Sequence, residues 1–173
     1  LGEKSEEISI AKYTRALQGF LQIEPNSKKL KPYVQYRIGK MFCYGLGTEQ
    51  DYEKAFEWFE RSAKQKNKFA QFSLANLYYY GSGIEKDLSQ AFLWYQRSSS
   101  QGQPYAAYSI AQMYRYGEYV TKDNDTAQRY YQQALSGFLK IESDDMANDD
   151  LFYKLGQMFK FGLGTDSDVT KAI

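Results

Sequence analysis

Apolar and small residues recur along this chain with helical spacing, and the recurrence itself then repeats as whole blocks. Between residues 34 and 45 they stand at 34, 38, 41, 42 and 45, the i, i+4, i+7, i+8 spacing of one helix face. A second set at 55, 58, 59 and 62 follows the same rule. The break between them is "YGLGTEQD", Tyr44 to Asp51. It predicts a helix, a tight turn and a second helix. Gly45 and Gly47 end the first helix, because glycine takes positive φ at no steric cost. Asp51 stands where a side-chain oxygen caps the bare amides of the second helix. Ala55 is small where the two helices cross, and Trp58 and Phe59 are expected to fill the space toward the following unit.

The block returns with a fixed step. Gly45, Gly81 and Gly117 stand 36 residues apart, as do Asp51, Asp87 and Asp123, and Trp58, Trp94 and Tyr130. Ile38, Leu74 and Ile110 keep the register, with Met41, Leu77 and Met113. A further copy reads Leu155, Gly156, Met158, Phe159, Gly162, Gly164, Asp168 and Ala172, after a nine-residue insertion. At the front, "ALQGFLQIE" (Ala16 to Glu24) matches "ALSGFLKIE" (Ala134 to Glu142). The organisation expected is one repeat domain: a partial unit at 6–24, full units at 33–68, 69–104 and 105–142, and a partial unit at 150–173. Helix pairs are predicted at 33–44 with 51–66, 69–80 with 87–101, and 105–116 with 123–142. One copy departs. Tyr119 stands where Gly47 and Gly83 stand, so that turn is expected to differ, since left-handed geometry costs a non-glycine residue about 1 kcal/mol.

The second copy reads "A-x-x-x-L-A-x-L-Y-x-x-G-x-G-I-x-K-D" from Ala70 to Asp87, then "A-x-x-W-Y" from Ala91 to Tyr95, then Gln101 and Gly102. In these motifs the chain resembles the Sel-one-like repeat family, the relatives of tetratricopeptide repeats. The resemblance covers three full units over 33–134 and the flanks in two partial ones. It implies an all-α fold, a right-handed α/α solenoid of helix-turn-helix repeats whose first helices line a concave surface. It also implies scaffold or adaptor work rather than chemistry.

Composition narrows the function. Lys plus Arg is 22 and Asp plus Glu is 21, a net charge of +1. That balance gives no general reason to expect nucleic acid or a membrane surface, and no apolar run is long enough for a transmembrane helix. Histidine is absent, which removes the commonest general base and the commonest zinc ligand. Cys43 is the sole cysteine, so an internal disulfide is excluded and a reducing, cytoplasmic setting is mildly favoured. It reads as a small helix residue. With no phosphate loop and no paired carboxylates in a pocket-like context, no enzyme activity, cofactor or metal is expected. The acidic stretch "ESDDMANDD", with Glu142, Asp144, Asp145, Asp149 and Asp150, reads as a solvated loop and helix cap. It lacks the glycine and terminal Glu of a calcium loop. The sequence starts at Leu1 with a second helix lacking its partner and stops at Ile173 before another. A longer parent chain, further repeats and weak head-to-tail self-association through apolar ends are expected.

Subtracting the apolar face of each first helix leaves the positions expected to line the groove. They are Tyr36, Arg37, Lys40 and Cys43; Phe72, Ser73, Asn76 and Tyr79; Tyr108, Ser109, Gln112 and Arg115; Tyr153, Lys154, Gln157 and Lys160. The ring at 36, 72, 108 and 153 repeats in every unit, which favours packing; the others vary between copies, as recognition positions do. Their basic bias, interleaved with tyrosine, points to an acidic or carboxylate-bearing peptide. Single-stranded nucleic acid is the lesser partner class, because the chain as a whole is not basic. The rival reading is an accessory region of a larger mobilisation or relaxase-type protein contacting nucleic acid, since arrays with the extended "ALxGFLxIE" helix resemble those.

Overall fold

The computed structural model describes residues 2–143 and 149–167, with side chains over 9–141 and 149–167. Its elements are α1 (Gly2–Ile23), a 3-10 turn (Glu24–Asn26), α2 (Lys31–Tyr44), α3 (Tyr52–Lys64), α4 (Lys68–Tyr80), α5 (Leu88–Ser100), α6 (Pro104–Tyr116), α7 (Asn124–Ser143) and α8 (Asp149–Phe161). Among the described residues there is no strand. The fold is all-α, built of helix-turn-helix repeats of the solenoid class. Contacts group the chain into two compact units, Leu1–Trp94 and Tyr95–Ile173, with the boundary inside α5.

The turn chemistry is reused in both units. Gly45, Gly81 and Gly117 close α2, α4 and α6 at φ values of 65°, 69° and 72°. Asp51 then accepts from the Lys54 amide at 2.9 Å at the start of α3. Asp87 accepts from the amides of Ser89 and Gln90, and Asp123 from those of Asp125 and Thr126. Asp168 lies outside the described residues. The second glycine has a different reason. A Cβ on Gly47 would lie 2.2 Å from the backbone nitrogen of Thr14, so the turn after α2 rests directly on the α1 backbone. Thr14 Oγ1 donates to the Gly47 carbonyl there. Tyr119, expected to change its turn, does not. It takes the same left-handed backbone, φ 66°, with its ring exposed.

In the first unit α2 packs on α3 and α3 on α4. Leu17 of α1 joins Val34, Ile38 and Met41 of α2 in a buried cluster, and Trp58 of α3 packs against it. This corrects the expectation that Trp58 reaches toward the following unit: its ring lies back on α1 and α2, half-buried, with Arg61 4.8 Å above it. Phe56 makes the forward contact instead, edge-on to Tyr78 of α4 at 5.6 Å. Trp94, by contrast, is buried. Helix α1 leaves Ile10, Tyr13, Leu21 and Ile23 exposed.

In the second unit α7 is the long element, 20 residues. Its Tyr131, Ala134, Leu135 and Phe138 form one core with Ala107 and Ala111 of α6 and Leu151, Leu155 and Met158 of α8. Gln128 ties the turn after α8 to α7, donating to the Gly162 carbonyl and accepting from the Gly164 amide. Of the acidic stretch, Asp144 and Asp145 lie outside the described residues. Asp150 pairs with Lys154 one turn along α8.

Candidate functional site

The first helices present two kinds of face. One is the buried set just described. The other carries the expected groove residues, and these divide by environment.

In the first unit Tyr36 is not a bare platform. Its ring stacks on Phe69 at 5.7 Å and leans on Phe59 at 6.0 Å, and burial pushes its hydroxyl up to about 12. Lys40 lies between two rings, 6.0 Å from Tyr36 and 5.6 Å from Tyr44. Arg37 is exposed, donates to the Tyr33 hydroxyl and covers the Phe20 ring at 5.6 Å. Cys43 is half-buried, and burial raises its thiol pKa despite the Lys40 ammonium. Phe72, Asn76 and Tyr79 are half-buried on α4. Tyr79 carries Lys86 over its ring at 5.5 Å and meets Tyr80 edge-on at 4.9 Å.

In the second unit Tyr108 packs edge-on against Tyr131 at 5.4 Å. Burial raises its hydroxyl pKa. Lys154 covers both Tyr105 and Tyr108, while Arg115 lies over Tyr116 and Lys160 over Phe161. Gln112 and Gln157 are half-buried. Tyr153 is 67% exposed, so the fourth copy of the repeated ring does not pack as Tyr36 and Tyr108 do.

One set of exposed aromatics escaped the sequence reading. Tyr44, Tyr80, Tyr116 and Phe161 are the last residues of α2, α4, α6 and α8, and are 62, 71, 61 and 53% exposed. The signal was present: each stands directly before a left-handed glycine, the first three 36 residues apart and Phe161 after the nine-residue insertion. Hydrophobicity alone had no means of separating them from the core.

Charge is distributed with a bias. Helices α2, α4 and α6 contain no Asp or Glu, and in α8 the only two are Asp149 and Asp150 in its first turn. Among the described residues Arg37, Lys40, Arg115 and Lys160 make no ion pair. On the second helix α3, Lys54 pairs with Asp51, Arg61 with Glu57 and Lys64 with Glu60. No three His, Cys, Asp or Glu side chains converge on a metal-sized site among the described residues, and no described helix is long and apolar enough to cross a membrane.

The repeat geometry has known counterparts. A Sel1 repeat protein from Oxalobacter formigenes superposes with a TM-score of 0.68 over 95% of this chain and 64% of its own, at 24% identity. The protective antigen c5321, present in uropathogenic Escherichia coli strains and displaying an SLR fold, gives 0.61 over 99% of this chain and 45% of its own, at 19% identity. The chain thus spans less than two thirds of either protein, and the likeness shows the fold. No protein of curated function matches the sequence. The Sel1 repeat matches at residues 32–67, 68–103, 104–137 and 153–173. With most of its length accounted for by these repeats, the chain belongs to the Sel1 repeat family.

Proposed function

We propose that the chain is a noncatalytic protein-binding module whose first-helix faces take an acidic peptide segment. Sel1 repeat proteins generally act as scaffolds for protein–protein interaction, and the fold is typically noncatalytic. The finer reading rests on one observation: cations without acidic partners, seated on half-exposed rings, along helices almost free of Asp and Glu. An exposed cation over an aromatic ring gains about 0.5–1 kcal/mol and keeps its outer hemisphere for a second contact. An incoming carboxylate therefore displaces no internal ion pair. On α3 it would have to compete with one. The exposed rings at the helix ends add apolar area beside each charge, suited to a segment that mixes Glu or Asp with apolar residues.

The test is a panel of equal-length peptides, rich in Glu, Gln or Lys, with a single-stranded oligothymidylate as a fourth ligand, titrated by fluorescence anisotropy. The Glu peptide alone is expected to bind, and more weakly as salt rises. Binding of the oligonucleotide without the Glu peptide would instead favour the accessory, nucleic-acid-contacting reading.

A further inference from the structure

The second unit holds a buried polar atom with no partner. Tyr131 is 1% exposed, and its hydroxyl makes no hydrogen bond. The groups facing it come from α6. The Tyr108 ring lies 5.4 Å away, edge-on, and the Arg115 guanidinium lies beside the hydroxyl without completing a hydrogen bond to it. Packing alone does not call for that hydroxyl. Phe59 occupies the corresponding place in the first unit and is equally buried. Cys43 stands there where Arg115 stands here. The apolar pair Phe59 and Cys43 has thus become the polar pair Tyr131 and Arg115. Both changes fall on one spot, where the guanidinium is near the hydroxyl but leaves it without a geometrically complete hydrogen bond.

We propose that Arg115 and the Tyr131 hydroxyl form a subsite for one carboxylate of the acidic peptide, a reading that rests on the peptide-binding function above. A carboxylate has two oxygens in one plane. One takes the guanidinium fork and the other takes the hydroxyl proton, so one ligand engages the cation and satisfies the buried hydroxyl. Arg115 is half-exposed and makes no ion pair among the described residues, so its guanidinium is open to an incoming group; the subsite requires the side chain to turn far enough for that group to reach the hydroxyl. A single negative charge fits better than a phosphate dianion. The other cation on the Tyr108 ring, Lys154, is already held by Asp150. Burial raises the Tyr131 pKa to about 12 against the pull of Arg115, which keeps the hydroxyl a proton donor at neutral pH.

The experiment is an NMR titration of the intact chain with Ac-Glu-Glu-Glu-NH2, Ac-Gln-Gln-Gln-NH2 and inorganic phosphate, following the Arg115 Nε–H and the Tyr131 ring. The glutamate peptide should move both signals and the glutamine peptide neither. Tyr131→Phe should weaken binding about tenfold, the loss of one charge-assisted hydrogen bond, and Arg115→Met should weaken it further. Tyr131→Phe will fold, since Phe59 fills the same place, and its Tm should not fall. A lowered Tm would show that the hydroxyl is bonded within the protein and overturn the subsite. If the glutamate peptide binds Tyr131→Phe as tightly as wild type, the subsite is wrong while peptide binding stands. Phosphate moving the same signals as tightly as the glutamate peptide overturns the carboxylate assignment. Failure of any acidic peptide to bind overturns the subsite and the function together.

Discussion

Asp51, Asp87 and Asp123 hold the same place in three copies, and the same physics lowers all three pKa values below the ordinary 3.8. At Asp51 the first cause is the Lys54 side chain, at Asp87 the Ser89 hydroxyl, and at Asp123 the Thr126 hydroxyl; backbone amides of the capped turn add to each. The sign follows from linkage. A carboxylate held more acidic in the folded state contributes its stability in full above its unfolded value. That contribution is lost as pH falls through the folded value. The stability contributed by these three caps should therefore be lost as pH falls below 3.8. Asp87→Asn keeps an oxygen for the cap but cannot titrate, so its Tm should fall less than that of wild type between about pH 5 and pH 2. Thermal melts across that range check it. At the other extreme Tyr36 is raised to about 12 by burial. It favours the fold fully below the ordinary tyrosine value of 10.0 and ceases to as pH rises through 12. Ultraviolet titration should show Tyr36 and Tyr131 ionising late, and Tyr36→Phe should shrink that late step without abolishing it.

At the scale of the element, glycine separates two kinds of constraint. Gly45 and Gly47 are both left-handed, but a Cβ on Gly45 meets its nearest atom at 3.3 Å, against 2.2 Å at Gly47. Gly45→Ala should cost about 1 kcal/mol, the conformational term. Gly47→Ala should cost clearly more, because it drives the turn off the α1 backbone; urea unfolding of the two variants measures the difference. Trp94→Ala should cost about 3–5 kcal/mol as a buried truncation. Much of this level was legible in the sequence. The glycines and the acid mark where each helix stops and starts, and the 36-residue step confirms the reading by repetition. The direction of Trp58 was not legible. Helical spacing says which face is apolar, not which neighbour lies on that face, and the ring went to α1 and α2. Tyr119 was visible as a departure, yet its backbone follows the turn rather than its own preference, because the capped helices on either side fix the path. The Tyr131 and Arg115 pair was out of reach for another reason. Its two residues are 16 positions apart on different helices, and an unmet hydrogen bond exists only in three dimensions.

At the scale of the molecule, a net charge of +1 conceals a sorted distribution. The first helices keep cations and almost no acids, and α3 pairs its cations internally. Sorting of this kind adds little to folding stability, since exposed pairs contribute about 0–1 kcal/mol. It does set which charges remain available to a partner. The claim meets its most direct test in Lys40→Glu with Arg115→Glu, one reversal in each compact unit, titrated with the Glu-rich peptide beside wild type. The account predicts at least a tenfold loss of affinity, from two reversed charge contacts, with Tm nearly unchanged, as surface substitutions usually leave it. Undiminished binding of the Glu-rich peptide by the folded double variant would contradict it.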